Sequence, residues 1–234
     1  MAHRTAKNST DTIHSADDFA AAFAVSRETV ARLVTYQALL GKWQKSINLV
    51  GPATLQQFWQ RHVADSAQVL AHAPQTARVW LDMGSGAGFP GLVLAILLAE
   101  TNPQARVHMV ESDRKKANFL RTVLRDTALD GYVHHARLEA VSATRPDDLP
   151  PVDVITARAL APLSDLAAYM APFFNSSTIA LLHKGRDWQE ELTQARKSWT
   201  MLVETHISRT DEAARIVEIS QLMSRADAGQ PAAF

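Results

Sequence analysis

Val79-Trp80-Leu81-Asp82-Met83-Gly84-Ser85-Gly86-Ala87-Gly88-Phe89-Pro90-Gly91 reads as a short buried strand with an acid near its end, a glycine-rich turn and the start of a helix. Three glycines at alternate positions let the backbone take positive φ and approach a ligand closely. Pro90 suits the first helical turn, where its missing N–H costs no hydrogen bond. The apolar run that follows, Pro90–Ala99, falls short of the ~18–20 residues of a membrane span, so it reads as a buried helix.

Downstream, short apolar runs alternate with amphipathic segments. Strands are expected at Val79–Met83, Val107–Glu111, Tyr132–His135, Val152–Ala157, Thr178–Leu182, Val203–Ser208 and Arg215–Ser220. Helices are expected at Pro90–Glu100, Arg114–Asp126, Leu163–Ala171 and Trp188–Trp199. The alternation implies a parallel sheet with helices on both faces. The last two strands are joined only by the short polar stretch Arg209–Ala214, which reads as an antiparallel hairpin. The fold class is therefore α/β, a Rossmann-like, mostly parallel sheet with a C-terminal antiparallel hairpin, as in class I methyltransferases.

Upstream, Phe19, Phe23, Val30, Leu33, Val34 and Leu40 keep an imperfect helical spacing, broken near Val25–Glu28, and Leu55 to Ser66 resume a period near 3.6. The expected organisation is a disordered leader over 1–16, a helical extension over 17–75 packed on the main domain, the α/β domain over 76–226, and a frayed tail over 227–234.

Ligands of open parallel sheets bind beyond the carboxyl ends of the strands. Gly86-Ala87-Gly88-Phe89-Pro90-Gly91 matches the dinucleotide fingerprint G-x-G-x-x-G literally. Its register argues against that ligand. Gly84 already occupies the strand end, and the Asp82 carboxylate would repel a pyrophosphate but attract an ammonium. S-adenosylmethionine is the expected cofactor. A dinucleotide, or a tight turn with no ligand, are the alternatives.

Glu111 closes the second strand at the position of an acid that accepts ribose hydroxyls. Glu139 follows the third strand, where residues border an adenine, and Arg158 follows the fourth, facing the cleft. Lys184 and Arg186 follow the fifth on the same edge. For each of these the competing reading is an ordinary solvated charge.

Bulk properties bound the rest. The 234 residues are 47% hydrophobic and 21% charged, so a packed core is expected. With no cysteine, there are no disulfides, thiol nucleophiles or cysteine-ligated metals, and no metal is expected. A net charge of zero leaves nucleic-acid contact to local basic patches. With no apolar leader or span, a cytoplasmic protein without membrane association is expected, as a monomer.

Together these residues resemble the glucose-inhibited division protein B family, the bacterial small-subunit rRNA guanine-N7 methyltransferases, from about Tyr36 to Ser220. The marks are Trp43 with Asn48-Leu49, Arg61-His62-Val63-Ala64-Asp65-Ser66, the glycine stretch through Gly88-Phe89-Pro90-Gly91, Ala136-Arg137-Leu138-Glu139, Ala157-Arg158-Ala159 and Lys184-Gly185. The resemblance implies S-adenosylmethionine contacts from Gly84, Phe89, Leu138, Glu139 and Arg158, beside Asp82, Gly86, Gly88 and Glu111 from the loop reading. It places Arg61, His62, Asp65 and Ser66 next to the cleft. Ala-Arg-Leu-Glu stands where Gly-Arg-Ala-Glu is commoner, Ala-Arg-Ala-Leu where Ser-Arg-Ala is usual, and Asn-Leu-Val where Asn-Leu-Thr is usual.

The implied reaction is methyl transfer to N7 of a guanine in 16S rRNA, within the small ribosomal subunit or its assembly precursor. N7 carries an in-plane lone pair, and attack leaves no proton to remove, so no catalytic base is assigned. Arg158 and His62 are positioning candidates. Basic residues available to RNA are Lys42, Lys45, Arg61, Arg114, Lys115, Lys116, Arg121, Arg125, Arg158, Lys184 and Arg186. The competing functions are a same-fold methyltransferase acting on a small molecule or protein, and a non-catalytic ribosome- or RNA-binding protein.

Overall fold

The computed structural model describes residues 12–226. Residues 1–11 of the leader expected over 1–16, and the tail expected over 227–234, lie outside the described residues. Within the stretch read as leader, Ile13 is buried and its N–H donates to Gln60 Oε1 at 2.8 Å.

Seven strands form one sheet: β1 (Val79–Met83), β2 (Arg106–Glu111), β3 (Tyr132–His135), β4 (Val154–Arg158), β5 (Ile179–Lys184), β6 (Trp199–Ile207) and β7 (Arg215–Ser224). Their order is β3-β2-β1-β4-β5-β7-β6. The first five are parallel, and β7 runs antiparallel to both β5 and β6. The order reverses between β1 and β4, so a crevice opens at their carboxyl ends. These two strands carry near-continuous apolar runs because helices cover both faces of the sheet.

Before the sheet come α1 (Ala16–Phe23), α2 (Arg27–Trp43) and α3 (Pro52–Leu55), then a π-helical stretch Phe58–Ala64 that runs into α4 (Asp65–Ala67) and a 3-10 turn Gln68–Ala71. Ser15 and Asp18 close a capping box that starts α1. Then follow α5 (Gly91–Thr101), α6 (Arg114–Asp126), α7 (Leu138–Ala143), α8 (Leu163–Met170) and α9 (Trp188–Ala195). Asp113 caps α6 by accepting from Lys115 and Lys116 N–H.

α5 explains why the chain carries its N-terminal helices. Every residue from Gly91 to Leu98 is buried, so the helix is apolar all round and needs a cover on both sides. The sheet supplies one cover; α2 and α4 supply the other. Between them Tyr36, Phe58, Phe89 and Phe119 pack ring to ring, with centroids 5.4–6.2 Å apart. Truncating one such buried ring to Ala costs about 3–5 kcal/mol.

Four details depart from the sequence reading, the first being that the helix expected over Trp188–Trp199 stops at Ala195 and Trp199 already begins β6. Leu55–Ser66 is not a uniform 3.6-period helix: from Phe58 to Ala64 it is wound as a π-helix, and Asp65 N–H reaches Gln60 O five residues back. Pro90 is the N-cap of α5 rather than its first residue. Leu138–Ala143 forms a helix that six residues were too few to signal. No helix is long and apolar enough to cross a membrane among the described residues.

Candidate functional site

Two cavities meet at the crevice. The first, about 560 Å³, lies between the glycine loop, the ends of β2 and β3, and the loops after β4. The second, about 850 Å³, lies between the π-helical stretch, the ends of β4 and β5, and the β6–β7 loop. They share a wall of Thr54, His62, Arg158 and Ala159.

The glycine loop is shaped by three different demands. Gly84 has φ +67, and a Cβ there would lie 2.5 Å from Leu160 Cδ1. Gly86 has φ +55 but faces open space, its nearest neighbour being Gly84 O at 3.8 Å. Gly88 has φ +97, and a Cβ would lie 2.3 Å from Leu92 Cδ1 and 2.9 Å from the Tyr36 hydroxyl. Gly84 and Gly86 line the first cavity; Gly88 does not, so its role is packing. Tyr36 holds the loop from behind by donating its hydroxyl proton to Ala87 O.

Asp82 does not reach the cavity either. Its carboxylate is buried under the loop, accepting from Thr156 Oγ1 at 2.8 Å and from Gly91 N–H at 3.2 Å. It ties β1 to β4 and to the first turn of α5. Burial pushes its pKa up to about 6, against the pull of those hydrogen bonds.

Glu111 does line the cavity. One oxygen accepts Gly86 N–H at 2.8 Å and the other accepts Asp113 N–H at 2.7 Å. Each oxygen retains a lone pair for a further donor. Leu138 and Glu139 line the far end, where Glu139 accepts the Tyr169 hydroxyl at 3.1 Å. That bond helps hold the Glu139 carboxyl below its usual range, after a backbone hydrogen bond.

The shared wall is a network built on Phe89. The His62 ring stacks on it at 4.6 Å and 17°, and the Arg158 guanidinium lies 5.3 Å from the same ring. Arg158 Nη1 donates to Arg61 O at 3.0 Å and Asp65 Oδ2 at 3.1 Å, while Nη2 donates to His62 Nδ1 at 2.6 Å. Arginine has no acceptor, so Nδ1 carries the lone pair and Nε2 carries the proton, which points to Thr54 Oγ1 at 3.2 Å. Burial, then Arg158, lowers the His62 pKa to about 4, so the ring is neutral near pH 7. Asp65 is held in turn by Gln68 and by Thr210, each at 2.8 Å.

The remaining predicted residues separate. Arg61 is exposed on the rim of the second cavity. Lys115 and Arg186 are exposed and line neither cavity, whereas Lys116 lines the first. Lys184 is buried and bonded to Glu191 at 2.7 Å and to Ala161 O at 2.8 Å, so its charge is spent inside the protein. Ser66 is buried facing no partner for its hydroxyl. Sequence reasoning missed Thr54, Tyr169, Arg209 in the β6–β7 loop and Arg215 at the start of β7, all of which line a cavity. No local motif marks them; only the tertiary fold brings them to the crevice.

The strand order, terminal hairpin and glycine loop at the switch point define a class I methyltransferase fold. Solved structures of that fold superpose on the chain. An O-methyltransferase from Bacillus cereus, crystallised with SAH, gives a TM-score of 0.58 at 14% identity, covering 91% of this chain and 100% of that one. The O-methyltransferase TomG from Streptomyces achromogenes, with SAM, gives 0.53 at 12% identity, covering 81% and 89%.

A family profile described as rRNA small subunit methyltransferase G matches residues 29–217. The chain is 50% identical over 210 residues to Ribosomal RNA small subunit methyltransferase G of Rhodospirillum centenum, covering 90% of this chain and 92% of that protein. It is 52% identical over 198 residues to the protein of the same name from a Methylobacterium species, covering 85% and 91%. The chain belongs to the rRNA small subunit methyltransferase G family.

Proposed function

We propose that this chain transfers a methyl group from S-adenosylmethionine to N7 of a guanine in 16S rRNA, presented by the small ribosomal subunit or its assembly precursor. The observation that carries the reading is the pair of cavities meeting at the Phe89–His62–Arg158 wall. One cavity suits a cofactor and the other a nucleotide.

The residues of the first cavity fit S-adenosylmethionine. Its volume, about 560 Å³, lies in the range of small-molecule sites. The open space at Gly86 admits a ligand against the backbone. Free lone pairs on Glu111 suit ribose hydroxyls, and Val110, Ala136 and Leu138 offer an apolar wall for an adenine. Gly84 and Phe89 border the methionine end. When bound, the cofactor supplies an electrophilic methyl group.

The chain's own contribution is alignment. Placing the acceptor nitrogen and the methyl carbon in line converts binding energy into rate, worth up to about 7–11 kcal/mol in the best intramolecular cases. Displacement at N7 releases no proton, so no base is required. His62 agrees with this: its Nδ1 lone pair is committed to Arg158 and its pKa is about 4, which makes it a positioning group. Arg158, Arg61, Arg209 and Arg215 border the nucleotide side, and Lys115 and Arg186, exposed outside both cavities, offer further cations to an RNA. A ribosomal substrate would place the protein in the cytoplasm, and we propose that it acts there as a monomer.

Incubation with labelled S-adenosylmethionine and small-subunit particles from a deletion strain tests the reading. Label on a single 16S guanine, mapped as N7-methylguanine by mass spectrometry, is expected, together with its loss in Gly84→Asp. Label on protein only, or no transfer, overturns it.

A further inference from the structure

β6 and β7 carry Glu204, His206 and Glu218 on the outer hairpin. Glu204 and Glu218 stand directly opposite each other, and His206 is two residues along from Glu204. The two-residue period of a strand therefore puts all three side chains on one face. One ligand atom from each lies within 4.8 Å of the others. His206 Nε2 is 2.9 Å from Glu218 Oε2.

Two carboxylates directly opposed across strands repel. Among the described residues, no Lys or Arg forms an ion pair with either one. The juxtaposition thus lacks a fixed cation. A second feature is independent of the acids. His72, following the 3-10 turn of the helical extension, stacks flat on His206, with centroids 3.8 Å apart and planes 14° apart. The stack fixes the ring plane of His206 while its Nε2 edge faces the carboxylates.

We propose that Glu204, His206 and Glu218 form a binding site for a Zn²⁺ ion. The imidazole nitrogen distinguishes this set from the all-oxygen donors that suit Mg²⁺ and Ca²⁺. Zinc bonds to N and O of about 2.0–2.2 Å imply ligand atoms roughly 3.3 Å apart in a tetrahedron. The present separations, 2.9 Å between His206 and Glu218 and no more than 4.8 Å for any pair, bracket that value, so side-chain rotation alone can reach it. None of the three residues lines either cavity, so the site is separate from methyl transfer.

The test is calorimetric titration of Zn²⁺ into the chelator-treated full chain, freed of any affinity tag. A single-site isotherm is expected, with a melting temperature raised by about 5–10 °C at a 100-fold excess over Kd. Loss of a supporting group around a metal costs about 10–100-fold in affinity. Loss of a ligand in Glu218→Gln or His206→Gln is expected to cost about 100-fold or more. Glu204 is exposed, so Glu204→Gln gives a third variant that retains the fold. Mg²⁺ is expected to give no isotherm. Absence of Zn²⁺ binding by the intact chain, or binding of unchanged affinity in the variants, overturns the proposal and in the second case assigns the ion to other histidines.

Discussion

Arg158 Nη2 sits 2.6 Å from His62 Nδ1, joining the end of β4 to the π-helical stretch and closing the wall between the two cavities. The guanidinium fork makes this possible. It reaches a carbonyl, a carboxylate and an imidazole at once while its face lies toward Phe89.

Arg158→Lys therefore keeps a charge and loses the fork. Hydrogen bonds to charged groups are worth about 1.5–3 kcal/mol, so single-turnover methyl transfer is expected to fall about 10–100-fold. Calorimetry with SAH separates lost cofactor binding from lost alignment. Unchanged transfer would leave the network without a role in the reaction.

His62 gives a pH signature. Its folded pKa of about 4 lies below the ordinary 6.5, so the unfolded chain takes up a proton first as pH falls. The ring's contribution is complete above about pH 6.5 and is lost progressively toward pH 4, costing roughly 2 kcal/mol between pH 7.5 and 5. Urea unfolding at the two pH values is expected to show this loss in the native chain and a smaller one in His62→Gln. In NMR, the His62 ring signal is expected to stay untitrated down to about pH 5.

The glycines separate cofactor binding from folding. Gly86→Ala adds a methyl group to open space at positive φ, costing about 1–2 kcal/mol of backbone strain and filling part of the first cavity. SAH affinity is expected to drop with a modest change in melting temperature. Gly88→Ala drives a methyl group into Leu92 and the Tyr36 hydroxyl, so stability is expected to fall first, by 3 kcal/mol or about that. Thermal melts and SAH titration on both variants give the comparison.

Lys184 and Arg186 stand two residues apart in the chain but are opposite in role. Lys184→Met strands Glu191, whose side chain is 29% exposed, so the cost is expected at about 1–3 kcal/mol of stability, below that of a fully buried pair. Arg186→Ala is expected to leave stability within about 0.5 kcal/mol and to reduce the salt slope of RNA binding by ~1 if the guanidinium meets a phosphate. Denaturation curves and binding to small-subunit particles at several salt concentrations distinguish the two.

The fold was largely legible because its signals are local. A period of two or of 3.6, with Gly84, Gly86 and Gly88 punctuating one turn, identifies strands and helices from neighbours in sequence. Leu138–Ala143 escaped because six residues carry little periodic signal, and the π-helical winding of Phe58–Ala64 escaped because a single widened turn hardly alters which residues are apolar. Among candidate residues, the place of Glu111 on the first cavity's wall was legible from its position at the end of a strand. Asp82 occupies a similar place, yet its carboxylate turns inward to Thr156 and Gly91.

The amino-acid sequence alone determined the strand–loop–helix at Val79–Gly91, the alternation that makes the sheet parallel, and a family resemblance carried by Arg61–Ser66 and Gly88–Gly91. Only the tertiary structure decided which charges are free. Asp82 and Lys184 are consumed by partners distant in sequence, at Thr156 and Glu191, and Gly88 serves packing against Tyr36 rather than a ligand. The reason is physical. Residue type fixes which chemistry a side chain carries, but direction and burial, which decide whether that chemistry meets a ligand or the protein itself, arise from contacts between segments far apart in the chain.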